Sequence, residues 1–538
     1  MTRLLIANRG EIAIRIARAA REAGIVPLGI YSEADRTALP VEAMDDALCI
    51  GPAAAAESYL AIDRVIAAAL ELRADAVHPG YGFLSERAPF AQAVVDAGLI
   101  FVGPSPPAIA AMGDKIEAKR RVRDHDVPVI PGYGGDEQTP AALRREAERI
   151  GLPLLIKASS GGGGRGMRVV ADLATFDEAL ESAQREALAA FGAGTVLLER
   201  YLTRPRHIEF QIIADVYGNT IHLGERECSI QRRHQKVIEE APSVALDPAL
   251  RERMGAAAVR AARSVEYANA GTVEFLLDED GAFYFLEMNA RLQVEHPVTE
   301  LVHGVDLVRL QLELAAGARL EIARHDVATC GWAIEARINA EDPNNAFLPA
   351  SGRINRWDAP GGEGVRLDSG VAAGSDVSIH YDSMLAKLIA SGPTRAVAID
   401  RLTRALESFR IEGVHTNVPL LLEVVRTSAF RSGETTTAFL SEHAEVLSPA
   451  TRLEPDEPFL LAIGAIVADS RSWRLAGVGI PIRLAAPGRQ VAVTASRFGS
   501  GEDVRLEGDL SGDVRFEVVG ERVVAYSAGR RHAGRARV

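Results

Sequence analysis

The chain has 538 residues, 60 Lys and Arg against 73 Asp and Glu, and a formal net charge of −13. That balance excludes a general nucleic-acid binder, whose footprint would be basic, and no apolar run approaches the roughly 18 residues needed to cross a membrane. Its three cysteines, Cys49, Cys228 and Cys330, are too few and too scattered for a disulfide framework or a zinc cluster.

The opening "MTRLLIANRG" carries too short an apolar stretch for a secretory signal, so a cytoplasmic protein is expected. Over the first hundred residues strand and helix patterns alternate. "RLLIAN" precedes a helical "GEIAIRIARAAREAG", and "VPLGIYS", a helix near "DRVIAAALELR", "ADAVHPG" and "GLIFVGP" follow. This order predicts a parallel, Rossmann-like sheet with helical crossovers over residues 1–113. Residues 114–127 read as a helix, and a connector and small lobe complete 114–203.

That lobe contains "LLIKASSGGGGRGMRV". Gly161, Gly163 and Gly166 formally satisfy G-x-G-x-x-G, but the loop leads into the strand-like "MRVV" and not into a phosphate-binding helix. A Walker-A loop is excluded because Met167 follows Gly166. What remains is a β-hairpin with a bare glycine tip, able to fold over phosphates and offer backbone N–H groups.

From 204 to 446 the strands lengthen and become mostly antiparallel. In "GTVEFLLDEDGAFYFLEMNARLQVEHPVTE" two apolar strands flank a turn. A two-residue turn at Asp280-Gly281 sets Glu274 directly opposite Glu287; a four-residue turn over 278–281 sets them diagonally. Strict alternation adds Asn289, Arg291, Gln293 and Glu295 to that face, places Phe283 and Phe285 beside the carboxylates, and turns Val273, Phe275 and Leu277 away. Two carboxylates about 5 Å apart repel by about 3 kcal/mol at an effective dielectric near 20. A hard divalent cation would offset this. In "SIQRRHQKVIEEAP" the cations Arg232, Arg233, His234 and Lys236 crowd together, a solvated edge or a grip on anions. Lys115 and Lys157 are further point charges for phosphate. Residues 447–458 read as a linker, and 459–538 as a helix followed by a β meander.

Taken together, "IANRGEIAIRI", "HPGYGFLSE", "MGDK", "KASSGGGGRGMRVV", "SIQRRHQKVIEEAP", "EMNARLQVEHPVTE", "EARINAEDP" and "YDSMLAKL" resemble biotin carboxylase, an ATP-grasp enzyme, as it occurs in acyl-CoA carboxylase α subunits. The likeness runs from about Arg3 to residue 445, and residues 459–538 resemble part of the biotin-transfer region of those α subunits, an interaction region. The likeness implies an α/β and α+β ATP-grasp fold with a parallel-sheet lobe, a glycine-hairpin lid and an antiparallel-sheet lobe. It also implies residue roles. Lys115, Lys157, Gly163 and Gly164 match phosphate contacts; Glu199, Tyr201 and Leu202 match the adenine hinge; His207, Gln231 and His234 match other nucleotide contacts. Glu274, Glu287 and Asn289 match ligands of Mg²⁺ or Mn²⁺. Lys236, Arg291, Gln293 and the Val294 backbone match the bicarbonate pocket, Glu295 its general base, and Arg337 the group facing biotin's ureido oxygen. Tyr81 and Gly82 match residues near biotin.

The implied reaction is ATP-dependent activation of bicarbonate to carboxyphosphate, then carboxylation of biotin on a carrier protein or domain. The implied partners are that carrier, a carboxyltransferase β subunit and a second copy of the chain or a larger complex. The chain departs from common relatives at Ser160, Arg200 and Ala290, none of them a charged catalytic group. No biotin-bearing "AMKM" segment occurs, so either the chain is truncated or the carrier is separate. Another ATP-grasp ligase forming an acyl phosphate, or a nucleotide-binding assembly subunit, are the competing readings.

Overall fold

The computed structural model describes residues 1–158, 167–191, 194–233, 235–322, 328–343 and 345–447, together with helix and strand segments between 461 and 535. The chain forms two compact units, Met1–Leu447 and Ser448–Val538.

In the first unit the alternating start folds as the sequence predicts. Five parallel strands lie in the order Asp46–Gly51, Val26–Ser32, Arg3–Ile6, Ala76–His78 and Ile100–Phe101. Ile12, Ala13, Ile16, Ala17 and Ala20 recur at helical spacing in Gly10–Glu22 and are all buried. Leu4 and Ile6 of the central strand belong to the same apolar cluster. At the carboxyl ends of the strands, Asn8 Nδ2 donates to the Pro79 and Tyr81 carbonyls at 2.7 and 2.8 Å. Gly80, at φ +63°, lets the chain turn there, and a Cβ would come within 2.7 Å of Asn8 Nδ2. Open α/β sheets bind ligands at this edge.

A second, antiparallel sheet has the order Gly132–Tyr133, Val196–Arg200, Leu154–Ala158 and Arg168–Val170. Leu154, Ile156, Val170, Val196 and Leu198 pack against Leu143, Ala147, Phe176 and Leu180 of two covering helices. The expected hairpin flanks are therefore present, with Leu154 opposite Val170 and Ile156 opposite Arg168. The glycine tip, including Gly163 and Gly164, lies outside the described residues, as does His234.

The third sheet carries most of the chemistry. Its eight strands run Phe283–Asn289, Asn269–Leu277, Arg206–Ala214, Thr220–Arg232, Gln235–Ala241, Trp332–Asn339, Met384–Gly392 and Val365–Ser369, all antiparallel. Ile238, Ile334, Ala336, Ile338 and Leu388 pack under helices Arg395–Ser408 and Val418–Arg426.

The second unit holds a six-stranded antiparallel sheet whose strands follow one another in sequence order, the expected meander. Ile463, from the helical segment before it, is buried with Val493, Val504 and Val523. Among the described residues no helix is long and apolar enough to cross a membrane.

Candidate active site

A cleft of about 930 Å³ opens in the first unit. Its lining gathers residues that lie far apart in sequence: Tyr81, Gly82, Lys115, Lys157, Glu199, Tyr201, Leu202, His207, Gln231, Lys236, Glu274, Glu287, Asn289, Arg291, Gln293, Val294 and Arg337. Glu295 sits fully buried behind them, reached through Lys236 and Arg337. All the described candidates thus belong to one site.

The carboxylate hairpin differs in one respect from strict alternation. Glu274 pairs directly with Glu287, but Leu277 pairs with Phe283 and Phe275 with Phe285, so the connection is the longer segment 278–282. One extra residue, a bulge between Phe285 and Glu287, restores the facing pair. The bulge turns Phe285 away from the carboxylates. Phe285 is buried in the core with Val273 and Phe275, and Phe283 packs on Phe275 at 5.6 Å. Leu276 and Leu286 line the cleft instead. Beyond Asn289 the strand ends, yet the following loop still delivers Arg291, Gln293 and Glu295 to the site.

Lys236 is the hub. Its ammonium donates to Glu209 at 2.5 Å, Glu295 at 2.7 Å and Glu274 at 2.8 Å. The other Glu295 oxygen accepts from Arg337 at 3.0 Å, and Arg337 also donates to Glu239 at 2.5 Å. Burial pushes the Glu295 carboxyl up, but Lys236, Arg337 and Arg226 outweigh it and hold the group well below the usual carboxylate range. Glu295 is therefore an ionised acceptor between two cations.

Glu274 accepts from Lys236, from Asn289 Nδ2 at 2.9 Å and from Gln293 Nε2 at 3.2 Å, while its second oxygen lies 2.9 Å from His207 Nε2. Burial raises its pKa, and Lys236 and His207 bring it down below the carboxylate range. Glu287 moves the other way, raised by burial and by the facing Glu274 charge. Glu274, Glu287 and Asn289 put hard oxygen donors on one face, and the charge strain on Glu287 is what a divalent cation would relieve. The residues fit Mg²⁺ or Mn²⁺.

Arg291 is held from three sides. It donates to Asn289 Oδ1 and Gln293 Oε1, both at 2.8 Å, and ion-pairs with Glu86 at 3.1 Å. Lys387, fully buried, donates to the Val294 carbonyl at 3.0 Å and lies 3.1 Å from Glu11. Tyr81 hydroxyl donates to the same Glu11. Lys157, which also lines the cleft, ion-pairs with Glu199 at 2.6 Å.

Several of these partners escaped the sequence reading: Glu11, Glu86, Glu209, Arg226, Glu239 and Lys387; so did Lys119, which lines the cleft, and the buried Glu335. A signal for some existed. "HIEFQII", "IEARIN" and "MLAKLI" place charged or polar residues at alternate positions of otherwise apolar strands, which marks a strand with two buried faces.

A nucleotide-sized cleft between a hairpin lobe and an antiparallel sheet, floored by carboxylates and lysines, defines the ATP-grasp class of ligases. Comparison with known proteins narrows the class. Residues 1–109 match the biotin carboxylase N-terminal domain, 114–323 the ATP-binding domain of the carbamoyl-phosphate synthase L chain, and 335–442 the biotin carboxylase C-terminal domain. The chain is 52% identical over 440 residues to a biotin carboxylase of Nostoc sp., covering 82% of this chain and 98% of that protein. It is 48% identical over 499 residues to the propionyl-CoA carboxylase alpha chain of Ruegeria pomeroyi, covering 88% and 73%. Among solved structures it resembles the biotin carboxylase domain dimer of Hydrogenobacter thermophilus 2-oxoglutarate carboxylase, crystallised with MgADP, ADP and bicarbonate. There the TM-score is 0.81 and identity 46%, over 83% of this chain and 98% of that one. The chain belongs to the biotin carboxylase family.

Proposed function

We propose that this chain catalyses the biotin carboxylase half-reaction, using ATP to activate bicarbonate and then carboxylating biotin on a carrier. The observation that carries the reading is Glu295, an ionised carboxylate clasped between Lys236 and Arg337, both of which line the cleft. Bicarbonate is a poor nucleophile, and a positioned carboxylate accepts its proton as its oxygen attacks the γ-phosphorus and ADP leaves. Lys236, Arg291 and the Gln293 amide, which line the cleft, hold the anion in this reading, and Lys387 fixes the Val294 carbonyl. Lys115 and Lys157 offset charge on the phosphates, and Glu199, Tyr201, Leu202, His207 and Gln231 bind the rest of the nucleotide. When bound at Glu274, Glu287 and Asn289, Mg²⁺ or Mn²⁺ supplies Lewis-acid neutralisation of phosphate charge.

The carboxyphosphate product breaks into CO₂ and phosphate. Phosphate takes the ureido N–H proton of biotin, and the nitrogen attacks CO₂. Arg337 stabilises the enolate-like ureido oxygen, with Tyr81 and Gly82 along biotin's edge. The MgADP and bicarbonate in the Hydrogenobacter structure support this set of ligands.

The chain acts as a homodimer or within a larger complex, with a biotin carrier and a carboxyltransferase β subunit, in an acetyl- or propionyl-type acyl-CoA carboxylase. The likeness to the propionyl-CoA carboxylase alpha chain covers 88% of this chain and so extends past residue 447. Labelled bicarbonate incorporated into acetyl-CoA or propionyl-CoA by the native complex supports that context. Incorporation into pyruvate or 2-oxoglutarate instead refutes it.

ADP release from Mg-ATP, measured with and without bicarbonate and free biotin, tests the half-reaction. Turnover that requires bicarbonate and rises with biotin is expected. Release indifferent to both, from folded protein, removes the reading and returns the chain to the other ATP-grasp ligases.

A further inference from the structure

Lys119 stands one helical turn after Lys115 in the helix Lys115–Arg123, and both line the cleft. Lys119 is buried, with its side chain 7% exposed, and its ammonium contacts one Glu199 oxygen. The other Glu199 oxygen takes Lys157 at 2.6 Å. Glu199 itself is 1% exposed. One buried carboxylate thus bridges two lysines, one of which, Lys157, is expected to hold phosphate.

The local backbone favours this bridge. Lys157 and Glu199 lie on the same face of neighbouring antiparallel strands, Lys157 opposite Leu197 and Leu155 opposite Glu199. Gly132 pairs with Glu199 from the other side, and a Cβ at Gly132 would stand 2.3 Å from the Leu198 carbonyl and 3.2 Å from Glu199 Cγ. The absent side chain allows the strand to close over Glu199, which keeps water from its carboxylate.

A buried carboxylate stripped of its cations is strongly unfavourable. If Lys157 were its sole partner, a phosphate could recruit Lys157 only by leaving Glu199 uncompensated. Lys119 removes that conflict, because Glu199 keeps one ammonium when the other turns to the nucleotide.

We propose that Lys119 is a positioning residue for nucleotide binding, acting as the standing counter-ion of Glu199 that frees Lys157 to hold phosphate. The inference rests on the ATP-dependent reading above, but its test needs only binding. Mg-ATP affinity is measured by calorimetry for wild type, Lys119→Met, Glu199→Gln and the double variant. Lys119→Met weakens Mg-ATP binding about tenfold when Glu199 is present, and by less than about threefold in the Glu199→Gln background. Lys119→Arg, which keeps the charge, binds within about threefold of wild type. Wild-type affinity in Lys119→Met overturns the proposal. So does a tenfold loss that persists in the double variant, since it would mean that Lys119 meets the nucleotide directly or only supports the fold. Lys119→Gln replaces the Met variant if circular dichroism shows the latter unfolded. Should wild type bind Mg-ATP yet show no bicarbonate-dependent turnover, the carboxylase reading fails and the binding cycle still decides the role of Lys119.

Discussion

The strands Gln235–Ala241, Trp332–Asn339 and Met384–Gly392 bury both of their faces, and the two faces bury opposite things. Ile238, Ile334, Ala336, Ile338 and Leu388 fill one with hydrocarbon. Glu239, Glu335 and Lys387, each fully buried, and Arg337 fill the other with charge. Along the ladder Glu239 stands opposite Glu335 and Arg337 opposite Lys387, pairings that repel. Relief comes from elsewhere: Arg337 turns diagonally to Glu239 and off the ladder to Glu295, and Lys387 to Glu11 and the Val294 carbonyl. Glu335 has no hydrogen-bond partner among the described residues, and burial raises its pKa well above the carboxylate range. The apolar face is what holding a sheet together requires. The charged face is organised around a ligand, since hydrophobic residues would fill that volume at less cost to stability.

Substitutions on the two faces should therefore fail in different ways. The largest effect is expected for Glu295→Gln, which loses the proton acceptor. Bicarbonate-dependent ADP release falls about 10³-fold, while calorimetric Mg-ATP affinity stays within about threefold. Arg337→Ala comes next. In parallel assays its carboxylation of biotin falls about 10²-fold more than its bicarbonate-dependent ATP cleavage, and equal losses would contradict the role given to Arg337.

On the apolar face, Leu388→Ala costs about 2–5 kcal/mol in denaturant unfolding, with KM for ATP and bicarbonate within about twofold of wild type. A large KM change there would break the division between the faces. The smallest effect is a shift with pH. Lys236 and Arg337 depress Glu295, so in wild type this base is ionised above that lowered pKa and its acid limb lies below the usual carboxylate range. Arg337→Ala removes one stabilising charge, raises the pKa, and moves the acid limb of bicarbonate-dependent kcat/KM upward by about one to two pH units. An unmoved or falling limb would reverse the sign of the argument.

The same contrast explains what the sequence made readable. The parallel lobe was legible because helix and strand periods alternate cleanly, and the facing Glu274 and Glu287 because a hairpin is a local structure. The bulge between Phe285 and Glu287 was not, because it depends on which aromatic side chains the core accepts; it sent Phe285 to the side opposite the one strict alternation gives. Lys119 and Glu239 carry little local signal, since their partners Glu199 and Arg337 come from distant parts of the chain. The family resemblance located residues expected to touch ligands. It was silent about the residues that hold those side chains in place.

The most direct test of the central claim follows one oxygen atom. If the charged face binds bicarbonate for attack on the γ-phosphorus, turnover with ¹⁸O-labelled bicarbonate, in the presence of biotin, transfers one bicarbonate oxygen into each inorganic phosphate released. Mass spectrometry of that phosphate reads the result. Phosphate that carries the label supports bicarbonate activation at this site. Phosphate that takes its new oxygen only from water would mean that ATP is merely hydrolysed, and would contradict the account.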